Sequence, residues 1–255
     1  MLLAVDTGNT HTVLGLFDGS RLRADWRVAT RKDATDDELG VLFRALFAAE
    51  ELEPAVVDGV IVSSVVPDWN AVLAATAEKT FGRAALFVVP GVKTGLPILY
   101  ENPHEVGADR IVNAVAAVHR YGAPVLVLDF GTATTFDVVS SKGEYLGGAI
   151  APGLAISAEA LFQRAARLSR VDVRKPARII GRTTEESVQA GLFHGYVSLV
   201  EGVVRRLRAE LGVDAPVVAT GGLASVFQSE LPFLTAVEPE LTLEGLRLIW
   251  EKNQR

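Results

Sequence analysis

A chain of 255 residues with 49% hydrophobic content has enough apolar material for one large core or two of ordinary size. Its net charge of −6, with Lys and Arg scattered along the chain, speaks against a nucleic-acid or anionic-membrane surface and for a small partner. With no cysteine there is no disulfide, thiolate nucleophile or sulfur metal site, and His11, His104, His119 and His194 lack paired ligand spacing. Met1 to Val5 lacks the basic start of a secretory signal, and no stretch approaches the roughly 18 apolar residues of a membrane span, so a cytoplasmic protein is expected.

In chain order, Leu2 to Val5 is a short apolar strand that runs into Asp6-Thr7-Gly8-Asn9-Thr10 and then into the apolar Val13 to Phe17. Arg21 to Val28 reads as the third strand of a meander. Thr35-Asp36-Asp37-Glu38 is a capping box, and Leu39, Leu42, Phe43, Leu46 and Phe47 follow at helical spacing, giving an amphipathic helix to about Glu51. Val56 to Val66 is a core strand with Ser63-Ser64 near a possible ligand edge, stopped by Pro67. A helix over Trp69 to Phe81 and a strand over Ala85 to Pro90 come next. Gly91 to Arg110 is too irregular for a core element and too apolar for disorder, which marks a functional loop. A helix from Ile111 to Tyr121 would link two halves.

The second half opens on Val125 to Asp137, V-L-V-L-D-F-G-T-A-T-T-F-D, a buried strand that ends in an acid and a glycine-hydroxyl turn. It echoes the first turn at a separation of 129 − 6 = 123 residues, close to half of 255, as a duplicated domain would. A third strand from Tyr145 to Ile150, Gly147-Gly148 and Pro152-Gly153, and a helix from Ala155 to Ala166 follow. A polar connection, Arg167 to Arg182, leads to Thr183-Thr184-Glu185-Glu186, which caps a helix running to about Leu211. Val217 to Thr220 is the last core strand, and Gly221-Gly222 opens a turn. Strand-strand-strand-helix-strand-helix, twice, is the order of an α/β chain of duplicated actin-like (ribonuclease H-like, sugar-kinase/Hsp70/actin) domains. The halves are expected at 1–118 and 119–255, with a ligand cleft between them at the carboxyl ends of the strands.

No G-x-x-x-x-G-K-[ST] and no strand-borne G-x-G-x-x-G occurs, and Asp129-Phe130-Gly131 stands without the other protein-kinase signatures. What remains is phosphate handling by two acidic turns, in which Asp6 holds a hydrated Mg²⁺ and the amides of Gly8 to Thr10 meet phosphate oxygens. Asp129, buried at a strand end, would need a cation to stay ionised beside a triphosphate. Asp before Gly also forms ordinary hairpin turns, but its duplication after matching strands favours the functional reading.

Six segments carry a family resemblance: Asp6 to Thr10, Tyr100 with Pro103 and Gly107 to Arg110, Asp129 to Thr135, Gly147 to Gly153, Thr184 to Glu186, and Thr220 to Gly222. In this order, over nearly the whole chain, the sequence resembles the type III pantothenate kinases. The resemblance implies ATP-dependent phosphorylation of the terminal hydroxyl of pantothenate, the first step of coenzyme A biosynthesis, by a homodimer. Carried over by position, Asp6, Thr7, Gly8, Asn9, Thr10, His11, Thr12 and Val13 are the ATP phosphate loop, with Mg²⁺ at Asp6. Asp109 is the general base and Asp129 the ligand of a monovalent cation, K⁺ or NH₄⁺. Thr132 contacts ATP, and Gly221 and Gly222 lie along the adenine. Tyr100, Gly107, Ala108, Asp109, Arg110 and Thr184 line the pantothenate pocket. Many relatives carry a lysine where this chain has Val13, which leaves more of the phosphate charge to metal ions.

Simpler roles compete at several positions. Thr184 serves equally well as a helix cap, Tyr100 as a half-buried aromatic, Gly221 and Gly222 as the end of a strand, and Asp109 as the partner of Arg110 or a cap at Ile111. Gly191 and Gly195, four apart in the long helix, suit packing against a second copy or within the monomer. Two other functions remain open: a kinase or hydrolase of the same fold acting on another small substrate, and a nucleotide-binding regulatory or accessory protein without kinase activity. Asp109, a poised base, argues against the second.

Overall fold

A computed structural model describes residues 1–165, 168 and 170–254. Ala166 and Arg167, where the sequence reading ends one helix and begins a polar connection, lie outside the described residues. The chain forms two compact units, Met1–Arg120 with Glu240–Arg255, and Tyr121–Pro239.

In the first unit, β1 (Leu2–Thr7), β2 (His11–Asp18) and β3 (Arg21–Ala29) form an antiparallel meander. β4 (Gly59–Ser64) and β5 (Ala85–Phe87) add in parallel, giving the order β3-β2-β1-β4-β5. The helices α1 (Asp36–Ala49) and α2 (Asn70–Phe81) connect them. The capping box at Thr35 is formed: its hydroxyl accepts from Glu38 N and Glu38 accepts from Thr35 N, which satisfies two otherwise orphaned donors. Leu3, Val5, Leu14 and Leu16 alternate onto one face of the sheet, where Phe43, Phe47, Trp69 and Phe81 close a core.

The other face takes α7 (Leu241–Asn253), which the sequence division places with the second half. Small residues decide its position. A side chain at Gly15, opposite Ala4, would lie 2.8 Å from Leu243 Cδ1, and one at Gly59 would overlap Trp250. The irregular stretch between β5 and α3 (Ala108–Tyr121) contains only a short 3-10 turn, Pro103–Glu105, among its described structure. Asn253 fastens it to α7, accepting from Lys93 N and donating to Lys93 O.

The second unit repeats the pattern. β6 (Val125–Phe130), β7 (Ala133–Val139) and β8 (Tyr145–Pro152) are antiparallel, and β9 (Val217–Thr220) and β10 (Ala236–Val237) add in parallel, in the order β10-β9-β6-β7-β8. Numbered within each unit, the two sheets have one strand order. The third strand, expected to end at Ile150, runs on to Pro152 and contains Gly147 and Gly148. α4 (Leu154–Arg164) and the long α5 (Thr184–Leu211) follow, with a single turn, α6 (Ala224–Phe227), after β9. Phe193, Tyr196, Val200 and Val204 of α5 pack with Leu126, Leu128, Phe130, Phe136 and Phe227 into the core. Among the described residues no helix is long and apolar enough to cross a membrane.

Candidate active site

Asp6 is the penultimate residue of β1, paired with Val13 on β2 and Ser63 on β4. Side chains in register across a ladder share a face, so Asp6 and Ser63 stand side by side at the carboxyl end of the sheet. The turn after Thr7 is tight: Gly8 N donates to His11 O at 2.9 Å, while Asn9, Thr10 and His11 are exposed. It is braced from behind by β3 and the residue after it. Thr12 and Thr30 share a hydroxyl hydrogen bond of 2.9 Å, and Thr30 Oγ1 donates to Gly8 O at 2.8 Å. Val13 is half-buried in β2, opposite Arg27 on β3.

The start of α3 reaches the same end of the same sheet. Val65 N, just past β4, donates to Thr7 O at 3.0 Å, and a side chain at Gly107 would lie 3.7 Å from Val65 Cγ1 and 2.5 Å from Asp109 Oδ1. Asp109 and Arg110 lie beside the irregular stretch, in the first turn of a helix that begins at Ala108 rather than at the expected Ile111. Asp109 Oδ1 accepts from Arg110 N at 2.8 Å. Burial pushes the Asp109 carboxyl above the ordinary aspartate range, outweighing the backbone hydrogen bond and the Arg110 charge that pull it down. Arg110 is buried, and Tyr100 is half-buried in the irregular stretch.

In the second unit, Asp129 holds the place in β6 that Asp6 holds in β1, paired with Thr135 on β7 and Thr220 on β9. Glycines make room around it. Gly131 N donates to Ala133 O at 3.1 Å, and Gly153 N donates to Thr132 O at the same distance. A side chain at Gly221 would lie 2.5 Å from Asp129 Oδ1. Thr132 and Gly222 are exposed. Thr184 is the first residue of α5, and the cap is its neighbour: Thr183 Oγ1 accepts from Glu186 N at 3.1 Å. Thr184 therefore does not serve as the helix cap.

Two buried polar groups near Asp129 escaped the sequence reading. The Tyr196 hydroxyl hydrogen-bonds Thr134, and burial raises its phenol pKa, with the Asp129 charge adding to the rise. Asp137, fully buried, accepts from Tyr145 Oη at 2.7 Å and Thr135 Oγ1 at 3.1 Å. Tyr196 sits in an apolar helix stripe and Asp137 in a β-strand run, so neither carries a motif.

These residues suit ATP and its cations. Ser63 Oγ, on the same face as Asp6, is buried and has no hydrogen-bond partner among the described residues, so this face keeps polar capacity for a ligand, while Thr7 Oγ1, likewise without a partner there, lies on the opposite face. A single carboxylate such as Asp6, completed by phosphate oxygens and water, suits Mg²⁺. At the matching end of the second sheet, the Asp129 carboxylate is the group that would hold a monovalent cation, and Gly221 keeps any side chain off it.

The family model of the type III pantothenate kinases matches residues 2–206. A type III pantothenate kinase of Koribacter versatilis (strain Ellin345) is 53% identical over 264 residues, covering 100% of this chain and 96% of that one. One of Myxococcus xanthus (strain DK1622) is 56% identical over 253 residues, covering 99% of each. Among solved structures, a putative 2-dehydro-3-deoxygalactonokinase from Sinorhizobium meliloti aligns with a TM-score of 0.64 at 14% identity, over 100% of this chain and 96% of that one. That likeness speaks for the fold, duplicated actin-like domains of the sugar-kinase kind. The chain belongs to the type III pantothenate kinase family.

Proposed function

We propose that the protein transfers the γ-phosphoryl group of ATP to the terminal hydroxyl of pantothenate, giving 4'-phosphopantothenate and ADP in the first step of coenzyme A biosynthesis. The observation that carries this reading is Asp109: a carboxylate of raised pKa, at a helix start beside the acidic Asp6–Thr10 turn of the same unit. A primary alcohol needs an acceptor for its proton as phosphorus is attacked, and a base whose pKa is raised toward the operating pH accepts it more readily.

In this reading the amides of Asn9 and Thr10 hold phosphate oxygens, the Gly8 amide expected beside them being taken up by His11 O, with Thr132, Gly221 and Gly222 along the nucleotide. Tyr100, Gly107, Ala108, Arg110 and Thr184 orient pantothenate, so that Asp109 takes the hydroxyl proton. Mg²⁺ at Asp6 and K⁺ or NH₄⁺ at Asp129 would supply positive charge to the transferring phosphoryl group.

We further propose a cytoplasmic homodimer that joins through the exposed face of α5. Gly191 and Gly195 have open space where a side chain would be, and with Ala190, His194 and Ser198 they form a shallow groove. Ile179, 65% exposed, also lines this groove; a second copy would cover it.

Incubation with ATP, Mg²⁺, K⁺ and a panel of hydroxylated metabolites, following ADP release and product mass, tests the reaction. ADP release is expected with pantothenate above all others. A different preferred acceptor would reassign the substrate, and nucleotide binding without ADP release would mark a regulatory protein.

A further inference from the structure

We propose that Lys32 is a nucleotide-binding residue, supplying from the end of β3 the positive charge that the Asp6–Thr10 turn lacks. The inference rests on the kinase reading above and extends it to a residue outside all six family-like segments.

The turn itself contains no lysine or arginine, and Val13, at its far end, is apolar. Residues 30–32 run along it on both sides of Asn9. Thr30 Oγ1 donates to Gly8 O at 2.8 Å and Thr30 N donates to Thr10 O at 3.0 Å. Lys32 Nζ then donates to Asn9 Oδ1 at 3.0 Å, which holds an ammonium over the middle of the turn from 23 residues away. Among the described residues no carboxylate pairs with Lys32, whereas its neighbour Arg31 pairs with Glu38. An ammonium has three N–H donors, and the described structure uses one of them on Asn9. The others can serve phosphate oxygens at the turn, as a point charge on a flexible stem does.

The test is calorimetric titration of the full-length protein with ADP and Mg²⁺, and with adenosine, for the wild type, Lys32→Gln, Lys32→Arg and Arg31→Gln. Loss of one charge-assisted phosphate contact should weaken ADP binding by about tenfold in Lys32→Gln. Adenosine, without phosphates, should bind as to wild type. Lys32→Arg should keep most of the affinity, and ADP binding by Lys32→Gln should depend less on salt. Arg31→Gln, with the same loss of charge one residue away, should bind ADP as wild type does. ADP affinity of Lys32→Gln within about twofold of wild type overturns the proposal, as does equal weakening of ADP and adenosine, which would mean a collapsed turn. A wild type that binds no ADP overturns it together with the kinase reading. If ADP binding depends on Lys32 but pantothenate is not phosphorylated, the proposed substrate fails and the role of Lys32 stands.

Discussion

Gly221 lies so close to Asp129 that a methyl group on it would sit 2.5 Å from Oδ1 and 2.6 Å from the amide nitrogen of Phe130, at a φ of +91°. The glycine thus serves both the backbone turn out of β9 and the space at the carboxylate. Gly221→Ala should cost about 1–3 kcal/mol in unfolding free energy. Gly212→Ala provides the comparison, since Gly212 has a φ of +75° but open space around it, so only the backbone term applies, about 1 kcal/mol. Equal losses in the two variants, measured by urea denaturation, would show that the contact with Asp129 is without consequence.

Asp109 is expected to govern both rate and acid sensitivity. Asp109→Asn should lower kcat by about 10² to 10⁴ while ATP still binds. Because burial raises its pKa in the folded state, the ionised carboxylate costs stability once the pH passes that raised value, and the cost is absent below the unfolded value. Asparagine is neutral throughout. Asp109→Asn should therefore be more stable than wild type at neutral pH, with the difference shrinking as the pH falls. Thermal melts across that range check the sign, and an Asp109→Asn variant less stable at neutral than at acid pH, relative to wild type, would contradict it.

Asp129 is expected to make activity depend on K⁺ or NH₄⁺, because a carboxylate at a strand end is a ligand for a hard monovalent cation and the proposed site puts that cation there. Turnover in K⁺ should exceed turnover in Na⁺ or Tris buffers scrubbed of K⁺ and NH₄⁺. Asp129→Ala should remove the dependence with most of the activity. Equal rates in all buffers would show that no such site operates.

Thr183 and Thr184 should separate stability from substrate binding. Thr183 caps α5, so Thr183→Ala should cost about 1 kcal/mol with little change in KM. Thr184→Ala should leave stability nearly unchanged and raise KM for pantothenate. Denaturation midpoints and steady-state kinetics on both variants distinguish the roles, and the reverse pattern would exchange them.

Gly191 and Gly195 are exposed on a helix, where alanine normally adds up to about 1 kcal/mol of stability. If this face meets a second copy, larger side chains must hold the copies apart. Gly191→Leu with Gly195→Leu should shift light scattering from dimer to monomer while helix content is kept. A wild type that is monomeric at micromolar concentration would rule out the dimer.

The local features were readable in advance wherever neighbours along the chain determine them. β-Branched runs such as Val217 to Thr220, the capping box at Thr35 and the two Asp-Gly-bearing turns follow from side-chain alternation and short-range hydrogen bonds, which depend on a few adjacent residues. The repeat of the Asp6 turn at Asp129 made the paired sheets legible, because strand order follows from similar strings of elements. Even the choice between Thr183 and Thr184 as the cap, one position apart, needed the backbone conformation at the helix start.

Other relationships join residues far apart in the chain, and there the tertiary structure decided. α7 returns to the first unit because Gly15 and Gly59 leave space for Leu243 and Trp250, a fit between surfaces that no local pattern encodes. Tyr196 meets Thr134 from a helix that reads only as an apolar stripe, and Lys32 reaches Asn9 because β3 turns back beside β2. The Asp109 carboxyl carries a raised pKa through burial, although its place in the first turn of a helix would by itself favour the charged form. Periodicity depends on adjacent residues, while burial and long-range hydrogen bonds depend on which surfaces the folded chain brings into contact.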